Sequence, residues 1–154
     1  MIRAVLFDVD NVLYNSSHQV EMARRAAIEA MVAAGLGITI EKAFEKLQDI
    51  VAKYGSNFDK HYDMLVGNRQ DKYKIVAEGM VAYHNTKRNY LKPYDDTIPT
   101  LTRLRESGYK LGVITDGLAV KQWEKLVRLG LDNSFDSVII SEEVGVEKPD
   151  SKIF

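Results

Sequence analysis

The sequence predicts an α/β protein, a Rossmann-like parallel sheet core interrupted by an all-helical insertion. Three features carry that expectation. Three short apolar runs (2–7, IRAVLF; 109–114, YKLGVI; 136–140, DSVII) each stop abruptly at polar residues. A single helical segment joins the second and third runs, which makes a strand–helix–strand crossover and hence parallel pairing. The stretch between the first two runs shows helical periodicity and no clear strand, and it is far longer than an ordinary crossover.

In chain order, run 2–7 has the length and β-branched content of a buried strand ended by Asp8. Residues 19–34 read as a helix before Gly35-Leu36-Gly37. Ile40, Phe44, Leu47, Ile50, Val51 and Tyr54 form an apolar stripe at three- and four-residue steps, with Thr39 as N-cap and Gly55 as stop. Residues 57–66 and 70–90 give two more helices, and Lys92-Pro93-Tyr94 is the return linker. Thr97 to Ser107 predicts a helix that tolerates Pro99 in its first turn and ends at Gly108. Run 109–114 is the second strand, Leu118 to Leu129 the crossover helix with Gly130 as its stop, and 136–140 the third strand. Pro149 suits an early position of a further helix. Three strands make a small sheet whose first strand has an uncovered edge, so the C-terminal part of the core is expected to be missing from this chain. The expected domains are residues 1–14 with 94–154 as the α/β core and 15–93 as a helical cap, hinged at Asn15, Ser16 and Lys92–Tyr94.

Composition narrows the classes. The 154 residues are 45% hydrophobic and 28% charged, which excludes a disordered or collagen-like chain. A formal net charge of -1 gives no general attraction to nucleic acid. Without cysteine there is no disulfide framework and no thiolate metal site. The N-terminal apolar run is too short for a secretory signal and no run reaches membrane-span length, so a cytoplasmic protein acting on neither membrane nor nucleic acid is expected. Oligomeric state is not legible.

Ligands of open parallel sheets bind outside the carboxyl ends of the strands. Asp8 and Asp10 follow the first run, Thr115 and Asp116 the second, and Lys148 lies in the loop after the third. All five can therefore converge. Two carboxylates two residues apart repel unless a cation or a lysine intervenes. Mg²⁺ takes one or two carboxylates together with phosphate and water. A carboxylate can attack phosphorus to give an aspartyl-phosphate, and a second can protonate the leaving oxygen and then activate water. The Thr115 hydroxyl and nearby backbone N–H groups can hold phosphate oxygens.

DVDNVLY at 8–14 resembles the first motif of the haloacid dehalogenase (HAD) superfamily, VITDG at 113–117 its second and EKPD at 147–150 its third. A DxD at a strand end is common, whereas three motifs in order are specific, and their spacing suits the subgroup with an all-helical cap. The resemblance implies an HAD-like fold, Asp8 as nucleophile, Asp10 as general acid/base, Thr115 as phosphate binder, and Lys148 as partner of Asp8 and phosphate; Asp116, beside Thr115 at the strand end, is a further candidate for substrate contact through its backbone or its side chain. It also implies Mg²⁺ held by the Asp8 side chain and the Asp10 backbone carbonyl. The dehalogenase branch usually lacks an acid at the position of Asp10, so Asp10 favours phosphoryl chemistry. Asn11 and Val12 stand where the family often has Gly and Thr. The fourth motif, an acidic pair on a later strand, has no counterpart before Phe154. A truncated or partly present form with little or no activity of its own is therefore expected.

The function expected is Mg²⁺-dependent removal of phosphate from a small phosphorylated metabolite. A phosphomutase of the same family and a non-catalytic protein retaining the fold are the alternatives. A phospho-accepting receiver domain fits less well, because it lacks a large helical insertion after the first strand. His18, His61 and His84 are not spaced as metal ligands and read as surface or satisfied side chains. Trp123 reads as packing, and Glu142-Glu143 as the solvated end of a strand, with a role in holding the third loop as the alternative.

Overall fold

The computed structural model describes residues 3–154; Ile2 of the expected first strand lies outside them. Among these residues, three parallel strands form one sheet in the order β1 (Ala4–Phe7), β2 (Lys110–Thr115), β3 (Ser137–Ile140). Phe7 pairs with Val113 and Thr115 with Ile140, so the three carboxyl ends lie along one edge. The helices are α1 (Ser16–Ala33), α2 (Ile40–Tyr54), α3 (His61–Val66), α4 (Lys72–Asn89), α5 (Thr97–Glu106), α6 (Ala119–Leu129) and the short α7 (Ser141–Val144). The result is the α/β architecture with a parallel Rossmann-like core that the sequence predicts.

The chain divides into two compact units, Met1–Ser17 with Leu91–Phe154, and His18–Tyr90. The first contains the sheet. Val9, Leu13, Tyr14, Leu101, Leu111, Val113, Leu126, Leu129 and Leu131 form its buried core, and Val5 and Phe7 of β1 pack against it. β2 is the central strand, and five of its six residues are buried. On the other face Gly112 makes room for Leu6, whose Cδ2 would lie 2.7 Å from a Cβ there. The return segment is tied to the first loop, because the Tyr94 N–H and the Thr97 hydroxyl both donate to the Leu13 carbonyl, at 3.1 and 2.9 Å.

The second unit is helical. Ala27, Ile28, Met31, Leu36, Ala43, Leu47, Tyr62 and Ile75 form its core. Fully burying one such large side chain is worth about 1.5–3 kcal/mol. Thr39 caps α2 by accepting from the Lys42 N–H at 3.3 Å, and Gly55 ends it at φ 82°. The helix expected over 57–66 begins only at His61. The Phe58 ring stacks on Tyr54 at 4.9 Å and meets His61 edge-on, while His61 Nε2 lies 2.8 Å from the Gly55 carbonyl oxygen. Those contacts hold the preceding residues in a turn.

Two further differences have local causes. α1 starts at Ser16, three residues before the expected start, because the Asn11 side chain accepts from the Ser17 N–H and the Ser16 hydroxyl, both at 3.0 Å, and so caps its first turn. Pro149 does not enter a helix. A 3₁₀ turn forms at Ser151–Ile153, capped by Asp150, whose carboxylate accepts from the Lys152 N–H at 2.9 Å.

Candidate active site

The first loop leaves β1 at Phe7 and alternates. Val9 is buried while Asp8 and Asp10 remain partly accessible on either side of it. The turn closes when the Val12 and Leu13 N–H groups donate to the Val9 carbonyl at 3.4 and 3.1 Å. Asn11 supplies the reversal at φ 58°, a left-handed conformation that Asn tolerates better than most residues. That backbone demand is why Asn or Gly suits the position.

Asp8 Oδ1 accepts from the Val9 N–H at 2.7 Å. Asp8 Oδ2 lies 2.8 Å from Lys148 Nζ. Lys148 arrives from the loop after β3. Its backbone N–H donates to Asp116 Oδ1 at 3.0 Å, and its ammonium also donates to the Ile114 carbonyl at 3.2 Å. Asp116 thus orients Lys148 from the end of β2, with its Oδ2 3.9 Å from the ammonium. Its backbone carbonyl accepts from Gln122 Nε2 at 2.7 Å.

Asp10 has a different cation. Lys125 Nζ bonds both of its carboxylate oxygens, at 2.8 and 2.6 Å, and the Tyr14 hydroxyl donates to Oδ1 at 2.8 Å. Burial pushes the Asp10 carboxyl up, but these bonds, the Lys125 charge and the Gln122 amide outweigh it and hold the group below the ordinary aspartate range. Each carboxylate of the pair is therefore neutralised by its own lysine.

Thr115, the last residue of β2, is 1% exposed, and among the described residues its hydroxyl finds no hydrogen-bond partner. A buried unpaired hydroxyl costs about 1–3 kcal/mol unless something accepts or donates there. Two backbone amides of the same loop are already used. The Gly117 N–H donates to Ser141 Oγ at 2.9 Å, and the Ala119 N–H to Glu142 Oε2 at 2.5 Å. Glu142 is thus a tie between loops rather than a solvated strand end, and Glu143 lies 3.4 Å from the Trp123 indole nitrogen. Gly117 is required where it stands, because a Cβ there would lie 2.9 Å from Gln122 Nε2 and its φ is 129°.

Asp8, Asp116 and Lys148 meet in direct contact, with Thr115 at the same strand end and Asp10 two residues from Asp8. Sequence reasoning missed Tyr14, Gln122, Lys125 and Ser141, and preferred a solvated strand end for Glu142. A signal existed for one of them: Gln122, Leu126 and Leu129 fall on one buried stripe of α6, and a glutamine in an apolar stripe must satisfy its amide somewhere. The three histidines sit in the second unit, with His18 edge-on to Tyr90 and His84 edge-on to Tyr83.

The profile of the haloacid dehalogenase-like hydrolase family matches residues 2–154. A glyceraldehyde 3-phosphate phosphatase from Methanopyrus kandleri is 56% identical over 158 residues, an alignment that covers 100% of this chain and 68% of that protein. Among solved structures, a HAD phosphatase from Thermococcus onnurineus is 28% identical with a TM-score of 0.64, covering 99% of this chain and 68% of that one. The HAD-hydrolase YfnB from Bacillus subtilis, bound to magnesium, shares the fold at 19% identity and a TM-score of 0.62, covering 99% of this chain and 69% of that one.

Proposed function

This chain belongs to the haloacid dehalogenase-like hydrolases, and we propose that it serves a Mg²⁺-dependent cytoplasmic phosphatase that works through an aspartyl-phosphate on Asp8. The observation that carries the reading is the 2.8 Å pair between Asp8 and Lys148 at the carboxyl edge of the sheet. An ammonium in that place balances the carboxylate charge and attracts a phosphoryl group to it.

The substrate we propose is glyceraldehyde 3-phosphate or another short phosphorylated aldehyde or alcohol. Support comes from the 56% identical relative, which carries that substrate in its name. Nothing in the charge balance favours a polymeric or membrane substrate. No helix among the described residues is long and apolar enough to cross a membrane.

In the first half-reaction an Asp8 carboxylate oxygen bonds to phosphorus as the bond to the leaving oxygen breaks. Asp10 gives that oxygen a proton. In the second half, water bonds to phosphorus, Asp8 leaves as carboxylate, and Asp10 takes the proton of the water. Lys148 neutralises charge on the phosphoryl group, and the unpaired Thr115 hydroxyl supplies a donor to one of its oxygens.

Mg²⁺ fits what this chain offers. The Asp8 carboxylate is a hard oxygen donor at the sheet edge, with the Asp10 backbone carbonyl as the second ligand we propose. An ion held there would supply charge neutralisation to the phosphate.

The test is a phosphatase screen of the full-length protein with and without Mg²⁺, headed by glyceraldehyde 3-phosphate, with Asp8→Asn as control. Mg²⁺-dependent release of phosphate that vanishes in Asp8→Asn is expected. Turnover retained in Asp8→Asn would refute the covalent scheme.

A further inference from the structure

The peptide that joins Asp116 to Gly117 is gripped at both ends. Gln122 Nε2, from α6, donates to the Asp116 carbonyl at 2.7 Å. Ser141 Oγ, at the start of α7, accepts from the Gly117 N–H at 2.9 Å. Both residues are buried, at 3% and 5% exposure. The Gln122 nitrogen also lies 3.4 Å from Asp10 Oδ2, so its two neighbours are both acceptors and the amide has one workable orientation. In that orientation Oε1 is buried without a donor among the described residues, which is unfavourable in itself. Backbone sterics do not choose how the peptide points. Gly117 sits at φ 129°, and glycine populates negative φ about as readily, so an ungripped peptide here is free to turn over.

We infer that Gln122 and Ser141 are positioning residues for the phosphate site, holding the Asp116–Gly117 peptide so that Asp116 keeps Lys148 in place. The inference rests on the reading of Lys148 as the partner of the substrate phosphate given above. The chain of contacts is short. Asp116 Oδ1 accepts from the Lys148 N–H at 3.0 Å, and Lys148 Nζ lies 2.8 Å from Asp8 Oδ2. Releasing either end of the peptide leaves the Asp8 and Lys148 side chains intact but spreads Asp116 over more than one backbone orientation. Only the fraction of molecules in the gripped orientation then binds the anion at full strength, and the apparent affinity falls by that fraction. Saturating substrate draws the population back. KM therefore rises while kcat stays near the wild-type value, a pattern that loss of a chemical group would not give.

The experiment uses the full-length protein with Mg²⁺, inorganic phosphate as the calorimetric probe and p-nitrophenyl phosphate for kinetics. Gln122→Met keeps the length of the side chain but has no donor, and Ser141→Ala removes the acceptor; each is checked for a native thermal transition. The expected result for each is a phosphate dissociation constant raised about fivefold or more, as when a fifth or fewer of the molecules hold the binding orientation. KM rises in step, and kcat changes by less than about twofold. In an Asp116→Ala background, which cuts the link to Lys148, Gln122→Met weakens phosphate binding no further. Wild-type phosphate affinity in a folded Gln122→Met or a folded Ser141→Ala overturns the inference. So does a fall in kcat at unchanged KM, or an equal loss of affinity with and without the Asp116 side chain. Ser141→Ala decides alone if Gln122→Met does not fold. If Lys148→Met binds phosphate as tightly as wild type, the reading of Lys148 itself fails and this inference falls with it.

Discussion

Lys148 Nζ sits 2.8 Å from Asp8 Oδ2, although the two residues come from opposite ends of the chain. The contact exists because β1 and β3 flank β2 in parallel, so loops distant in sequence leave the same edge of the sheet. Asp116 completes it by binding the Lys148 N–H at 3.0 Å. Topology, not proximity in sequence, therefore brings the ammonium to the carboxylate.

Thr115 separates stability from binding. Its hydroxyl is buried and makes no hydrogen bond within the described residues, so Thr115→Val removes no internal bond. Thermal melting of the variant should match or exceed wild type. Affinity for inorganic phosphate in the presence of Mg²⁺, measured by titration calorimetry, should fall by roughly tenfold or more, as expected for one hydrogen bond to a charged group. A lower melting temperature with undiminished phosphate affinity would contradict the role given to this hydroxyl.

Asn11 carries both a backbone and a capping duty, and two substitutions separate them. Asn11→Gly keeps the φ of 58° but loses the side-chain bonds to Ser16 and Ser17. Asn11→Ala loses those bonds and also strains the left-handed turn, at about 1–2 kcal/mol. Asn11→Ala should therefore destabilise more than Asn11→Gly, whose cost is that of a lost cap, about 1 kcal/mol. Urea titration followed by circular dichroism orders the two, and the reverse order would show that the turn does not need its positive φ.

Gly79 lies in α4, where helix propensity alone favours alanine by about 1 kcal/mol. A Cβ there would stand 2.6 Å from Met31 Cγ and 2.7 Å from its sulfur, and Met31 is fully buried. Overpacking of about 1–3 kcal/mol outweighs the propensity gain, so Gly79→Ala should be destabilising. In a Met31→Ala background the same change should become stabilising. Equal effects in both backgrounds would mean that the methionine yields without cost.

Asp136 holds the start of the central strand. Its carboxylate accepts from the Leu111 N–H and from Lys110 Nζ, both at 2.9 Å, and the Leu111 hydrogen bond first, then Lys110, holds its pKa below the ordinary aspartate range. A folded-state value below the unfolded one stabilises above the unfolded pKa of about 3.9 and loses that contribution as pH falls through the folded value. Asp136→Asn should melt below wild type at pH 7, and the gap should narrow as pH falls below the unfolded pKa of about 3.9. Thermal scans across that interval give the comparison, and a gap independent of pH would exclude the linkage.

Much of this was legible in the sequence because the signals were local. Gly130 stops α6 at φ 68°, Thr39 caps α2, and each strand ends at the polar residues its apolar run announces. Asp8, Asp116 and Lys148 could be expected to converge because parallel strands share an edge. Lys125 could not be assigned to Asp10 in the same way. Its partner is chosen by the rotation of α6 against the first loop, and in the sequence one lysine of an amphipathic helix looks like any other. The truncation of the 57–66 helix to His61–Val66 was hidden for a similar reason, since the turn depends on Phe58 stacking against Tyr54, a pair that periodicity does not register. α7 escaped notice because four residues are too few to show a period.

The bonds from Gly117 to Ser141 and from Ala119 to Glu142 also bear on engineering. Grafting the 113–117 segment alone onto another parallel-sheet scaffold would deliver the Gly117 amide, and set up the Ala119 amide just after it, without their native acceptors. Ser141 and Glu142 would have to travel with it, so the transplantable unit is a pair of adjacent crossovers and not a five-residue signature.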